Sequence, residues 1–343
     1  MRSSRAWRRP PLLLLLLLLL ALGACVFAAT REQFCSLCQR HTMCLYSGVS
    51  SRCHQGRLVR GVSPAEQQAI VDLTNQLRNR VALGQEWRGS PGRQPPAANM
   101  QRVAWDEEVA SVAQRWADQC NYSHDSCRNV PDTYVGQNIY QRSQYPVSAM
   151  NDRGNWSEPI YAWYDEVALM AASQVSSYQN REDIGHYTQT VWASTNRIGC
   201  GYTFYQDGDW GKKYYVCNYA PGGNYVGQPL YQVGSPRSAC PASSGDTGTP
   251  DPAYPGLCGP ASTKTTTTNS NPAASSTPTG AAIPAAAAAA PAAGPRAAGT
   301  PAAGTTAAGI PASTPTNVNF GDNTVGGGFP SFTDTGTFSP DYF

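Results

Sequence analysis

The sequence has few charged residues and almost no excess of either sign. Among its 343 residues only 14% are Asp, Glu, Lys or Arg, and the formal net charge is +2 at pH 7. Proteins that bind nucleic acid concentrate Lys and Arg in a basic patch or stripe, and no such stripe occurs here. We therefore expect no nucleic-acid partner.

The chain also has no apolar run as long as the about 20 residues that a membrane-spanning helix needs. Its longest such run, Leu12 to Leu22, follows four arginines and precedes the small residues Ala28 and Ala29. This order is typical of a cleaved secretory signal, with an uncleaved anchor as the alternative. We interpret residues 1–29 as the signal and expect a secreted, extracellular protein that does not span the membrane. No apolar tail typical of a lipid-anchor signal closes the sequence.

Cysteines are plentiful by comparison. Of the eleven, Cys25 lies in the signal, which leaves ten in the mature chain. An even number in an exported protein predicts disulfides, although spacing alone does not select their pairing. A zinc site at Cys35-x-x-Cys38 is the alternative, but no second pair completes four ligands.

Three helices are predicted from capping signals and apolar periodicity. The first begins at Pro64 after the cap Ser63 and ends near Gly84, with apolar residues spaced three and four apart. The second covers Asp106 to Cys120, and the third covers Ser157 to about Ala171.

Strands follow the helices. Ile198–Tyr205 and Lys213–Tyr219 are rich in aromatic and β-branched residues and flank Asp207-Gly208, so they predict a hairpin. Helices followed by strands, without β-α alternation, favour an α+β layered domain.

The ends of the chain differ from this middle part. Residues 30–60 carry four cysteines and too few aliphatic residues for a core of their own. Residues 231–260 form a short extension that encloses Cys240 and Cys258. Residues 261–343 are rich in Ala, Pro and Thr, and we expect them to be disordered, as an O-glycosylated stalk or as an unmodified linker.

Three motifs stand out: residues 185–192 read GHYTQTVW, residues 215–224 read YVCNYAPGGN, and residues 136–139 read GQNI. They resemble motifs of the CAP superfamily, and most closely those of its venom-allergen (antigen 5) group. Cys35-Ser-Leu-Cys38 adds to the likeness with the venom allergens. The resemblance covers a domain at about residues 61–230 and implies a three-layer α-β-α sandwich. It also implies the disulfides Cys35–Cys44, Cys38–Cys127, Cys53–Cys120 and Cys200–Cys217, with Cys240–Cys258 left over.

The same resemblance implies a central cleft formed by His124, Gln137, Glu166 and His186, in which Glu166 matches the family's second acid and Gln137 replaces the other one. His124 and His186 could ligate Zn²⁺ or Cu²⁺ weakly, because two imidazoles do not complete a firm site. The alternative is a purely structural, hydrogen-bonded polar cluster.

Hydrolysis is the enzymatic alternative for this cleft. Glu166 and His186 could act as orienting group and base, but no Gly-x-Ser-x-Gly motif or marked nucleophile accompanies them. The resemblance therefore favours a non-enzymatic protein of a secretion such as venom or saliva, or of another extracellular fluid. We expect a monomer that requires no cofactor and binds an extracellular protein or another ligand.

A sterol or fatty-acid carrier is a further alternative, with aromatic and apolar residues near the third helix as the candidate wall: Trp156, Tyr161, Trp163, Leu169 and Met170. Such a stripe more often belongs to a core. Two N-glycosylation sequons occur, at Asn155 and at Asn121, and the loop position of Asn155 favours it as the glycan site.

Overall fold

The computed structural model describes residues 29–53 and 56–260. The predicted tail at 261–343 and all but the last residue of the predicted signal lie outside these ranges. Within them, no helix combines the length and the apolar character needed to cross a membrane.

A five-stranded sheet forms the centre of the fold. Strands β4 (Arg197–Asp207) and β5 (Trp210–Ala220) form the predicted antiparallel hairpin, and β3 (Gly136–Gln144) pairs antiparallel with the other side of β5. The short strands β1 (Leu58–Arg60, antiparallel) and β2 (Ala104–Trp105, parallel) pair with β4. The turn lies one residue later than predicted, at Gly208-Asp209, because Asp207 still pairs with Trp210.

Six helices accompany the sheet among the described residues. They are α1 (Arg31–Leu37), α2 (Thr42–Leu45), α3 (Pro64–Ala82), α4 (Glu107–Ala117), α5 (Ser157–Asp165) and α6 (Gly185–Thr190). Helix α3 begins with the predicted capping box, in which Ser63 and Glu66 satisfy each other's backbone N–H groups. Short 3₁₀ turns occur at Ser51–Cys53, Val147–Ala149, Glu166–Leu169, Ala172–Val175 and Ala242–Ser244.

Two helices are shorter than predicted. Helix α4 ends at Ala117 rather than Cys120, because Cys120 has a φ of 48° and leaves the right-handed helical region. Helix α5 ends at Asp165 rather than near Ala171, and the chain continues as a 3₁₀ turn from Glu166 to Leu169. The Glu166 side chain in that turn bonds to α6 instead.

The helices cover both faces of the sheet, which confirms the three-layer α-β-α sandwich. Helix α4 packs so closely on β4 that a Cβ atom at Gly199 or Gly201 would lie within 2.4 Å of the α4 backbone. Helices α3, α5 and α6 lie on the opposite face over the larger core. That core holds Ile70 of α3, Trp163 of α5, Tyr187 of α6 and Tyr215 of the sheet.

Four disulfides join the pairs that the family resemblance implies: Cys35–Cys44, Cys53–Cys120, Cys200–Cys217 and Cys240–Cys258. The implied Cys38–Cys127 bond is not formed, and both cysteines are free. Burial, together with the influence of the Cys38 thiol, raises the pKa of Cys127 to about 12. The bond to Cys44 excludes Cys35 from a zinc site.

Arg78 of α3 is fully buried, and among the described residues it has only backbone carbonyls as hydrogen-bond partners. Its guanidinium donates to the oxygens of residues in two segments, at distances of 2.6–3.4 Å: Gln101, Thr190, Trp192, Ala193 and Thr195. Burial lowers the pKa of Arg78 to about 9, so the group stays charged at pH 7. One cation thus joins α3 to the segment before β2 and to the end of α6 with the loop that follows it.

Replacing Arg78 should therefore destabilise the domain strongly. We expect Arg78→Met to lower the free energy of unfolding by roughly 3 kcal/mol or more, because each buried carbonyl that loses its donor costs about 1–3 kcal/mol. Arg80 lies on the same helix and is exposed, so Arg80→Met is the matched control. Denaturant unfolding of both variants measures the difference, and equal stabilities would contradict this role.

Candidate functional site

The four residues of the implied cleft meet around the start of the edge strand β3. Successive residues of a strand point to opposite faces of the sheet. Gln137 pairs with Asn218 of β5, on the face that α4 covers, whereas Asn138 pairs with Cys217 on the face that α6 covers. The strand therefore contributes Gln137 to one half of the cleft and Asn138 to the other half.

His124 belongs to the half on the α4 face. It lies in the loop after α4, and its ring Nδ1 is 2.8 Å from Gln137 Oε1. An amide oxygen only accepts hydrogen bonds, so Nδ1 of His124 carries the proton. Nε2 is then the nitrogen with a free lone pair.

A buried polar network holds Gln137 on the side of its amide group that faces away from His124. Its side chain is 1% exposed, and its amide nitrogen donates to Asp125 Oδ1 at 3.1 Å and to Asn218 Oδ1 at 3.0 Å. Asp125 in turn accepts hydrogen bonds from Arg128 and Thr42. This network connects the cleft with the cysteine-rich segment, to which Thr42 belongs.

His186 and Glu166 form the other half. His186 Nδ1 lies 2.6 Å from Glu166 Oε1. The second carboxylate oxygen accepts the backbone N–H groups of His186 and Tyr187, at 2.9 and 3.0 Å, in the first turn of α6. Glu166 therefore orients the imidazole and also caps the helix that carries it.

Asn138 connects the two halves. Its side-chain nitrogen donates to the backbone oxygen of His186 at 3.1 Å and lies near the hydroxyls of Thr190 and Tyr219. Trp163 of α5 stacks on the His186 ring with the centroids 6.3 Å apart. The position of His186 is thus determined by the sheet, by α5 and by Glu166.

The charge environment keeps His124 neutral. Burial lowers the pKa of His124 to about 4, and the positive charge of Arg128 adds to this effect. The hydrogen bond to Gln137 acts in the opposite direction, and the nearby His186 lowers the pKa slightly further. At pH 7 the cleft therefore contains a neutral His124 ring.

The chemistry available at these rings is limited. Among the described residues, no Ser, Thr or Cys side chain is hydrogen-bonded to the ring of His124 or His186. The carboxylate of Glu166 already accepts three hydrogen bonds, and Gln137 cannot exchange a proton. What the cleft presents is the Nε2 atom of each imidazole.

The two histidine rings of the cleft could offer a metal ion at most two nitrogen ligands, because each Nδ1 already has a hydrogen-bond partner. Within residues 29–53 and 56–260, the one group of three potential ligand side chains is Cys240, Asp246 and Cys258. Its two sulfur atoms form a disulfide, so that group cannot bind a metal. At the cleft, only Nε2 of His124 and Nε2 of His186 would hold an ion.

The other candidate residues are those of the suggested apolar-ligand wall and the two glycosylation sequons. Trp156, Trp163 and Met170 belong to the core, whereas Tyr161 and Leu169 are exposed, so the five do not line one pocket together. Asn155 is exposed at the start of α5, and Asn121 donates to Ser123 Oγ at 2.8 Å. Glycosylation at both sequons remains a prediction.

The sequence interpretation missed Asp125, Arg128 and Asn218. Asp125 directly follows His124, and Asn218 lies within the second motif, so their positions offered a signal. Their role could be seen only when the fold brought them to Gln137.

Comparisons with known proteins agree with this architecture. The profile of the cysteine-rich secretory protein family (CAP) matches residues 71–219. A venom allergen 3 homolog of Dinoponera quadriceps is 48% identical over 198 residues, which cover 56% of this chain and 84% of that protein. The chain therefore belongs to the CAP family.

Within the family, the chain is similar to venom allergens. Venom allergen 5 of Dolichovespula arenaria is 41% identical over 205 residues, covering 59% of this chain and 99% of that protein. A solved structure, NaASP2 with Zn²⁺, is 31% identical with a TM-score of 0.44 and covers 58% of this chain and 97% of that one.

The lowered pKa of His124 predicts an acid-dependent loss of stability. Its folded value of about 4 lies below the ordinary value of 6.5, so the unfolded state binds more protons in this interval and stability falls as the pH falls through it. Relative to His124→Gln, the wild type should lose on the order of 1–3 kcal/mol between pH 7 and pH 4. Urea unfolding at several pH values measures this, and a difference that does not change with pH would refute it.

Proposed function

We propose that this chain is a secreted, non-enzymatic binding protein whose cleft presents two imidazole nitrogens to a ligand. The arrangement of the two Nδ1 atoms supports this most directly. Each is occupied by an internal partner, Gln137 or Glu166, so that Nε2 is the ring nitrogen left for a ligand. The similarity to venom allergens and the four disulfides support an extracellular location.

The same geometry argues against hydrolysis. General acid–base chemistry needs a group that can give up and regain a proton, and covalent catalysis needs a nucleophile in contact with its base. Glu166 is held by three hydrogen bonds that position His186 and cap α6. Releasing it for catalysis would disturb the helix that carries the imidazole.

We infer that no resident cofactor is required. A Zn²⁺ or Cu²⁺ ion at the two Nε2 atoms would have water in its remaining positions, and its binding would be weak and exchangeable. When bound, the ion would offer Lewis-acid or electrostatic binding chemistry to a ligand. Glu166 and Gln137 would then act as the groups that orient the two ligating rings.

Zinc titration tests the cleft as a binding site. We expect weak heats of binding for the wild type and at least a tenfold loss of affinity for His124→Ala and for His186→Ala, since each removes one of two ligands. Asp209→Ala is the control, because this exposed carboxylate lies in the β4–β5 turn at the far end of the sheet. Equal isothermal calorimetry traces for all four proteins would exclude the cleft.

A screen of peptide and ester substrates tests the absence of enzymatic activity. We expect no turnover by the wild type above that of the double variant His124→Ala/His186→Ala. Turnover that persists through purification and disappears in Glu166→Gln would overturn the proposal, because this change leaves the size of the side chain intact.

An apolar ligand is the second candidate, and a cavity outside the cleft favours it. About 560 Å³ lies between the loop after α6 and residues 229–233, lined by Trp192, Leu230 and Tyr231 together with Ser194. This volume lies in the usual range for small-molecule sites. Native mass spectrometry with added fatty acid or sterol should show a complex that Ser194→Trp reduces, whereas Ser148→Trp, at an exposed loop position, should not.

A further inference from the structure

We propose that Asp125 is a positioning residue for the cleft: by fixing the amide of Gln137, it sets the tautomer of His124 and makes Nε2 a hydrogen-bond acceptor. The inference deepens the proposed function, since it states what a ligand of the cleft meets at His124. It rests on the hydrogen bonds that join Asp125, Gln137, Asn218 and His124.

The first step concerns Gln137. A glutamine amide has an oxygen that accepts and a nitrogen that donates, and rotation by 180° exchanges them. With the oxygen toward His124, Nδ1 must carry the proton and Nε2 is an acceptor. With the nitrogen toward His124, Nδ1 must accept and Nε2 carries the proton. The cleft would present an acceptor in the first case and a donor in the second.

The second step is that Asp125 selects between these cases. Its Oδ1 lies 3.1 Å from the Gln137 nitrogen, so the rotated amide would place an oxygen against a carboxylate. Asp125 is 5% exposed, and its Oδ1 also accepts a hydrogen bond from Arg128, itself 6% exposed. The hydroxyl of Thr42 donates to its other oxygen. A carboxylate held this way acts only as an acceptor.

The third step concerns Asn218, which loses a hydrogen-bond partner when Gln137 is fixed in this orientation. Its oxygen accepts from Gln137 at 3.0 Å, and among the described residues its buried nitrogen has no hydrogen-bond partner. Asn218 could rotate and donate to a rotated Gln137, so this residue tolerates either orientation. The preference therefore originates at Asp125, and the unpartnered nitrogen of Asn218 is its consequence.

The ligand class follows from the orientation. In its neutral form, the His186 ring donates from Nδ1 to Glu166, and its Nε2 is then an acceptor like that of His124. Such a pair suits a cation or a ligand with two hydrogen-bond donors, such as a hydroxylated or amine-bearing group. A ligand whose only polar groups are acceptors would find no partner at either ring.

Nitrogen-15 NMR of the histidine rings at pH 7 tests the proposal without any ligand. We expect the wild type to show the Nδ1–H form at His124. In Asp125→Asn, Gln137 can rotate, and the Nε2–H form should become the major one. His186 should keep its Nδ1–H signal in both proteins and thereby serves as the internal control. Asp132→Asn, which neutralises an exposed carboxylate paired with Arg197, should leave His124 unchanged.

A second variant keeps the test decisive if Asp125→Asn does not fold. Gln137→Met leaves the Asp125–Arg128 pair in place and removes the amide, so His124 should lose its fixed tautomer. Retention of the Nδ1–H form in Gln137→Met, or in folded Asp125→Asn, would overturn the proposal, as would an Nε2–H form in the wild type. Failure of zinc binding with the expected tautomers would instead count against the proposed function alone.

Discussion

The buried guanidinium of Arg78 fixes helix α3 relative to residue 101 and to residues 190–195, and the positions of the other elements depend on this contact. The guanidinium has no carboxylate partner among its hydrogen bonds, and the dipoles of five carbonyl groups replace its hydration. One of these carbonyls belongs to Thr190, the last residue of α6. Helix α6 also carries His186. The charge of Arg78 on α3 therefore helps to position the His186 imidazole, although the two residues are far apart in the sequence.

The cleft itself combines two unlike halves. His186 is oriented by a carboxylate, whereas His124 is oriented by a neutral amide that a buried Asp–Arg pair holds from behind. In a cleft with two acids, a carboxylate would contact the His124 ring directly. Here the amide of Gln137 lies between the ring and the carboxylate of Asp125, and Arg128 pairs with that carboxylate. Both rings are thus held in a fixed orientation, each through a hydrogen bond at its Nδ1 atom.

Much of the fold could be predicted from the sequence wherever a feature depends on residues that are close together in the chain. The capping box at Ser63, the hairpin and the CAP motifs all depend on residues close together in the chain, and the structure contains each of them. The end of α5 and the carbonyl partners of Arg78 depend on contacts over tens of residues, and sequence patterns carry little information about these. The Cys38–Cys127 bond was inferred from resemblance, and the structure instead shows two free cysteines.

The alternation of Gln137 and Asn138 along an edge strand has a consequence for folding. If β3 slipped by one residue against β5, the two side chains would exchange faces: the amide of Gln137 would leave His124, and Asn138 would leave the helix of His186. The cleft can therefore assemble only in the native strand pairing. A measurement of either histidine ring consequently also reports whether the sheet has formed in its correct alignment, which makes these residues natural probes for misfolded, mispaired forms of the protein.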